Sequence, residues 1–110
     1  MADYFYNVES IKNLDKLREL KPELFQSFTD FNDKVFADGA LSTRVKELIA
    51  VATTHLTQCP YCIAEHTRRA KKAGATDEEI AEAIFVATAL RAGGAFAHSA
   101  ITFDVLEKIR

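Results

Sequence analysis

Only two prolines and four glycines interrupt these 110 residues, and each stands at a plausible helix boundary. No segment alternates apolar and polar residues over the length of a strand, and no repeat or linker is visible. A chain with so few breakers is restricted to helices joined by short connections. The expectation is an all-α fold, a single-domain bundle of about six helices spanning 1–110.

The periodicity places those helices. Ile11, Leu14 and Leu17 recur between charged residues from Ser10 to about Leu20, giving a short amphipathic helix. Pro22 opens a second helix, whose stripe of Leu24, Phe25, Phe28, Phe31, Val35 and Phe36 ends at Gly39. Such a stripe is core or subunit interface. Ser42 caps a third helix through Val45, Leu48, Ile49, Ala52 and Leu56 to about Gln58. Its Glu47 lies near the apolar side, four residues before Val51. A fourth helix begins at Cys59-Pro60 and ends near Gly74, with Arg68, Arg69, Lys71 and Lys72 complementing its C-terminal dipole. Thr76-Asp77-Glu78-Glu79 is a capping box for a fifth helix bearing Ile80, Ala83, Ile84, Ala87 and Leu90. Gly93-Gly94 marks a kink or a close crossing, and a last helix runs through Ile101, Val105 and Ile109.

Composition narrows the function. A net charge of −2, with 48% hydrophobic and 27% charged residues, favours neither nucleic acid nor an anionic membrane. The start, Met1 to Asn7, lacks a basic segment followed by a long apolar run, and the longest apolar run is too short to span a bilayer. These features predict a cytoplasmic protein, whose compartment keeps thiols reduced.

Both cysteines of the chain fall in one C-x-x-C, so neither has another thiol in the chain to bond. Cys59, Cys62 and His66 stand at i, i+3 and i+7, on one face of a helix opened by Pro60. Cys59 at the helix N-terminus is favoured as thiolate by unpaired N–H groups. His66, one turn beyond Cys62, is placed as its base, and Glu47 on the preceding helix is the carboxylate best placed to orient the imidazole. The same spacing offers three zinc-type ligands, for which the fourth would be Glu47 or His55. Cys62 is not followed directly by histidine, which excludes the covalent haem signature. His55, Tyr61 and His98 are further candidates for the pocket: His55 four residues before Cys59, Tyr61 between the cysteines, His98 after the glycine pair.

Glu47, eleven residues, Cys59-Pro60-Tyr61-Cys62, three residues, then His66 resembles the E-x11-C-x-x-C-x3-H signature of the alkylhydroperoxidase D-like, or carboxymuconolactone decarboxylase-like, superfamily. The likeness extends over about Leu24 to Ile101. It includes Phe36-Ala-Asp-Gly-Ala-Leu-Ser, Lys46-Glu-Leu-Ile-Ala, Gly74-Ala-Thr and Arg91-Ala-Gly-Gly-Ala. The chain departs from alkylhydroperoxidase D in its Tyr61, where that enzyme has histidine, and in being shorter.

The resemblance implies a helical domain that forms trimers or hexamers, and a cysteine pair active toward small-molecule hydroperoxides. It implies a proton relay of Glu47, His66 and Cys62, with Cys59 as disulfide partner, and reduction by a dithiol, lipoyl or thioredoxin-like; no cofactor is expected, and no metal, because three ligands would have to converge from one helix. On this basis Cys62 attacks the peroxide and Cys59 condenses with the sulfenic acid. A decarboxylase-like enzyme acting on an organic acid, or a zinc-holding assembly module, is the alternative. Small size, the phenylalanine stripe and the Ala92 to Ala97 segment independently predict self-association.

Overall fold

The computed structural model describes residues 7–110, so the N-terminal reading lies, up to Tyr6, outside the described residues. A 3-10 segment, Val8–Asn13, leads into five α-helices: α1 (Leu14–Leu20), α2 (Pro22–Phe36), α3 (Thr43–Thr57), α4 (Pro60–Lys72) and α5 (Asp77–Ile109). No strand occurs among the described residues.

Local chemistry explains most of the boundaries. Ser42 caps α3 by accepting from the Val45 N–H, and Thr76 with Glu79 forms the reciprocal capping box at the start of α5. Gly74, at φ 97°, turns the chain after α4, where its N–H reaches Lys71 O and the Ala75 N–H reaches Ala70 O. α2 ends at Phe36, three residues before the expected Gly39, because the following loop is held by side chains. The Thr43 N–H donates to Asp38 Oδ1 at 2.7 Å, the Thr43 hydroxyl to Phe36 O at 2.7 Å, and Lys46 Nζ to Ala37 O at 2.6 Å.

Gly93-Gly94 does not interrupt the helix. One helix of 33 residues replaces the expected fifth and sixth. Glycine in a helix interior costs about 1 kcal/mol relative to alanine, which good helix formers on both sides outweigh when no proline removes a hydrogen bond. The bilayer expectation also changes. This helix contains an 18-residue window of mean hydropathy 1.4, long and apolar enough by length and composition to cross a membrane, because alanines, glycines and hydroxyl residues dilute the charge between Ile80 and Leu106.

α3 is the centre of the molecule, packed against α4 on one side and the first half of α5 on the other. The core is small: Val51, Ala70 and Ala75 are buried, with Leu48, Ile80, Ala83 and Ile84 around them. Two polar ties brace it. Arg44 pairs with Glu79 across the α3 and α5 N-termini, and Arg91 Nη1 donates to Leu56 O at 2.6 Å, satisfying a carbonyl in the last turn of α3. The second half of α5, Arg91 onward, is exposed almost throughout.

Candidate active site

The dithiol sits where α3 hands over to α4. Gln58 ends α3 in the left-handed conformation (φ 60°, ψ 35°), and Cys59 follows in extended backbone as the N-cap of α4. Pro60 occupies the first helical turn, where a missing N–H costs nothing. The Cys59 Sγ therefore does what a serine oxygen does at other helix starts: it accepts the Cys62 N–H, at 3.3 Å.

This geometry separates the two sulfurs chemically. Cys59 is held below the ordinary thiol range, first by a hydrogen bond from the Cys62 side chain and then by the N–H groups of Cys62 and Tyr61. Cys62 is pushed up to about 11, because it supplies that hydrogen bond, is partly desolvated and faces the Cys59 charge. The pair thus ionises first at Cys59, with Cys62 retaining the shared proton.

One turn along α4, His66 Nδ1 lies 2.6 Å from Glu47 Oε1. Glu47 projects from α3 and is 3% exposed, so the carboxylate is out of water and bonded to the imidazole. An ionised carboxyl can only accept, so the tautomer that suits this bond carries its proton on Nδ1 and has its lone pair on Nε2. Phe36 stacks on the His66 ring with centroids 5.1 Å apart and planes at 27°. The α2 to α3 loop, pinned by Thr43 and Lys46, holds Phe36 in place.

Two cavities meet at Cys62 and His66. One, of about 530 Å³, is walled by Val35, Phe36, Leu41, Ile49 and Ala50, with threonines 53, 54 and 57 and Lys46. The other, of about 600 Å³, is lined by Cys59 and Tyr61 together with Ser10, Asn13, Asn32, Glu65 and Arg69, besides Ile11, Leu14 and Phe28.

The structure therefore brings Glu47, His66, Cys62 and Cys59 together, and Tyr61 lines the second cavity with the cysteines. His55 lies elsewhere: its Nδ1 bonds Val51 O at 2.7 Å and it lines a separate cavity with Gln58, Thr88 and Arg91. His98 is exposed on the far half of α5 and lines none of these cavities. Among the described residues, no group of three or more histidine, cysteine or carboxylate side chains has the spacing of a metal site. Phe36 was missed as a site residue, since a phenylalanine in an apolar stripe reads as core. Its place one residue before the Ala37 to Leu41 connection was the available signal.

A helical dithiol domain with a buried Glu–His pair behind its C-x-x-C is the architecture of the alkylhydroperoxidase D-like superfamily, and residues 22–103 match the carboxymuconolactone decarboxylase family. The chain belongs to that family. It is 52% identical over 83 residues to uncharacterized protein 4 in the cox locus of Paracoccus denitrificans, covering 76% of this chain and 75% of that protein. Among solved structures it is similar to a protein of Methanobacterium thermoautotrophicum, with a TM-score of 0.74, 38% identity and coverage of 79% of this chain and 98% of that one. A carboxymuconolactone decarboxylase family protein from Legionella pneumophila superposes with a TM-score of 0.72 and 33% identity, over 91% of this chain and 89% of its own.

Proposed function

We propose that the protein is a cytoplasmic thiol-dependent peroxidase, an oxidoreductase that reduces hydroperoxides at Cys62 and Cys59 and is returned to the dithiol by an external dithiol. The observation that carries this reading is the 2.6 Å Glu47 to His66 bond beside a lone cysteine pair.

The chemistry divides between the two sulfurs. Cleaving a peroxide O–O bond needs a nucleophilic sulfur and a proton for the departing alkoxide. His66 Nε2 takes the Cys62 proton as the sulfur attacks the terminal oxygen, and passes it to the alkoxide, giving Cys62 sulfenic acid and an alcohol. Glu47 stabilises the imidazolium formed in between. Cys59, already the more acidic thiol, needs no base to attack the sulfenic sulfur. The disulfide forms, and hydroxide leaves as water with a proton from His66 or solvent. Two electrons have then passed from the dithiol to the peroxide, and an external dithiol restores them by exchange.

The test is turnover of cumene hydroperoxide with dihydrolipoic acid as donor, in the wild type, Cys62→Ser and Cys59→Ser. Cys62→Ser is expected to be inactive, and Cys59→Ser to accumulate a sulfenic acid that dimedone traps. Dimedone labelling of Cys59 in Cys62→Ser instead would reverse the order of attack. Turnover of an organic acid that survives alkylation of both cysteines would replace the peroxidase reading by decarboxylase-like chemistry. Stoichiometric zinc with unreactive thiols would replace it by a metal-holding module.

We also infer a homo-oligomer, trimer or hexamer, assembled through the exposed half of α5 and the Leu24 and Phe31 face of α2. Leu24, Phe31, Leu90, Phe96, Ile101 and Phe103 are each more than half exposed in the isolated chain, which supports the reading.

A further inference from the structure

The two cavities share only Cys62 and His66, and their walls differ in chemistry. The first has Val35, Phe36, Leu41 and Ile49 around the Cys62 sulfur and does not include Cys59. The second reaches Cys59 as well as Cys62, and adds Asn13, Asn32, Glu65 and Arg69 to a wall that is otherwise apolar, with Ile11, Leu14 and Phe28. Glu65 and Arg69 face each other at 3.5 Å across its wall. Successive parts of α2 contribute to both, Phe28 and Asn32 to the second cavity and Val35 and Phe36 to the first, so the second differs in carrying amides and an ion pair beside its apolar wall.

We propose that the two substrates reach the dithiol by different mouths: an apolar organic hydroperoxide enters between α2 and α3 to meet Cys62, and the dithiol reductant enters beside Tyr61 to meet Cys59. This rests on the peroxidase reading above. In the oxidised protein, a reductant thiolate attacks the Cys59 sulfur and forms a mixed disulfide with it. Cys62 leaves as thiolate and takes a proton from the His66 side, and the second reductant thiol then displaces Cys59. The products are two protein thiols and the oxidised, cyclic or linked, reductant, so electrons and protons balance. An apolar wall around the peroxidatic sulfur favours hydroperoxides with hydrocarbon bodies over hydrogen peroxide. A mouth carrying amides and an ion pair suits a polar carrier that must dock and leave each cycle.

Measuring the two half-reactions separately tests this, by rapid quench with an alkylating agent and mass counting of free thiols. Thr53 is exposed on the lip of the first mouth, and Asn13 is exposed at the second mouth with no cap bond to lose. Thr53→Trp is expected to slow oxidation by cumene hydroperoxide at least tenfold and to leave reduction by dihydrolipoic acid within twofold. Asn13→Trp is expected to do the reverse. Cumyl alcohol added to the wild type should compete with the peroxide and leave reduction untouched, which gives a readout free of folding effects. Equal slowing of both half-reactions by one plug, or by cumyl alcohol, would overturn the proposal, as would a change in assembly mass caused by Thr53→Trp, since the cavity would then be a subunit contact. Absence of any peroxide-driven thiol loss in the wild type would remove the peroxidase reading itself, and this proposal with it.

Discussion

At Cys59 and Cys62 the same element of sequence produces opposite acidities, because one sulfur caps a helix and the other sits a turn inside it. Iodoacetamide labelling followed by mass spectrometry should therefore resolve them by pH. Cys59 has its ionisation lowered from 9.0, so its thiolate persists and its labelling continues below that pH, whereas Cys62 labels only as pH rises toward about 11. Cys62→Ala removes the main donor to Cys59, and its labelling midpoint should move upward. An unmoved midpoint would show that the Cys62 side chain does not set the acidity. Glu47→Gln keeps the shape beside His66 but removes the charge that stabilises the imidazolium, and the peroxide step is expected to fall about 10²-fold, the lower end of general acid and base contributions. Cys59 labelling in that variant should keep its wild-type pH dependence, which separates loss of the relay from misfolding. Spacing alone had put Cys59, Cys62 and His66 on one face and had singled out Glu47 as misplaced for a solvent-facing residue. The readier ionisation of Cys59 was legible there from its place at the helix N-terminus; the opposite shift of Cys62 was not, since it depends first on the hydrogen bond between the two sulfur side chains.

The elements that hold this site are set by short-range chemistry, which is why α2 to α4 could be read closely from sequence and α5 could not. Pro22, Ser42, Pro60 and Thr76 mark helix starts by mechanisms confined to one turn. Gly93-Gly94 is ambiguous at that range, because whether a glycine pair breaks a helix depends on what packs against it. The α3 to α4 junction offers a test of how firmly the dithiol is set. Gln58 is the one non-glycine residue with positive φ among the described residues. Gln58→Gly should raise stability by about 0.5–1 kcal/mol, read as an increased urea midpoint, with peroxide turnover unchanged. Thr76→Ala should do the opposite, losing about 1 kcal/mol through the capping box at the start of α5. If Gln58→Gly lowers the midpoint, the left-handed turn is not strained and the glutamine side chain contributes through its own contacts.

At the scale of the molecule, a small core is surrounded by much uncovered apolar surface. The radius of gyration is 18.7 Å, against about 13 Å for a compact chain of this length. The cause is α5, about 50 Å long at 1.5 Å per residue, whose second half touches little else. A helix that is apolar on all sides belongs either inside protein or inside lipid. We propose subunit burial for this one, because the small residues Ala92 to Ala97 permit close helix approach and Arg91 is committed to Leu56 O near the middle of the helix. Phe96 is 83% exposed and Phe103 62% exposed, and each would release about 1.5–3 kcal/mol on burial by a neighbour. Light scattering of detergent-free protein at micromolar concentration should therefore return a multiple of 12.3 kDa, three or six by the family resemblance. Phe96→Asp with Phe103→Asp should shift that mass toward the single chain and lower the melting temperature, because each aspartate would have to be desolvated in the interface. Gly93→Ala with Gly94→Ala sharpens the same test: in the isolated chain nothing lies within 4 Å of either added methyl, so helix propensity alone predicts a gain. A loss of assembly in that variant would show that a neighbouring helix occupies the space. A wild-type mass near 12.3 kDa, or a requirement for detergent to keep the protein in solution, would overturn subunit burial of α5.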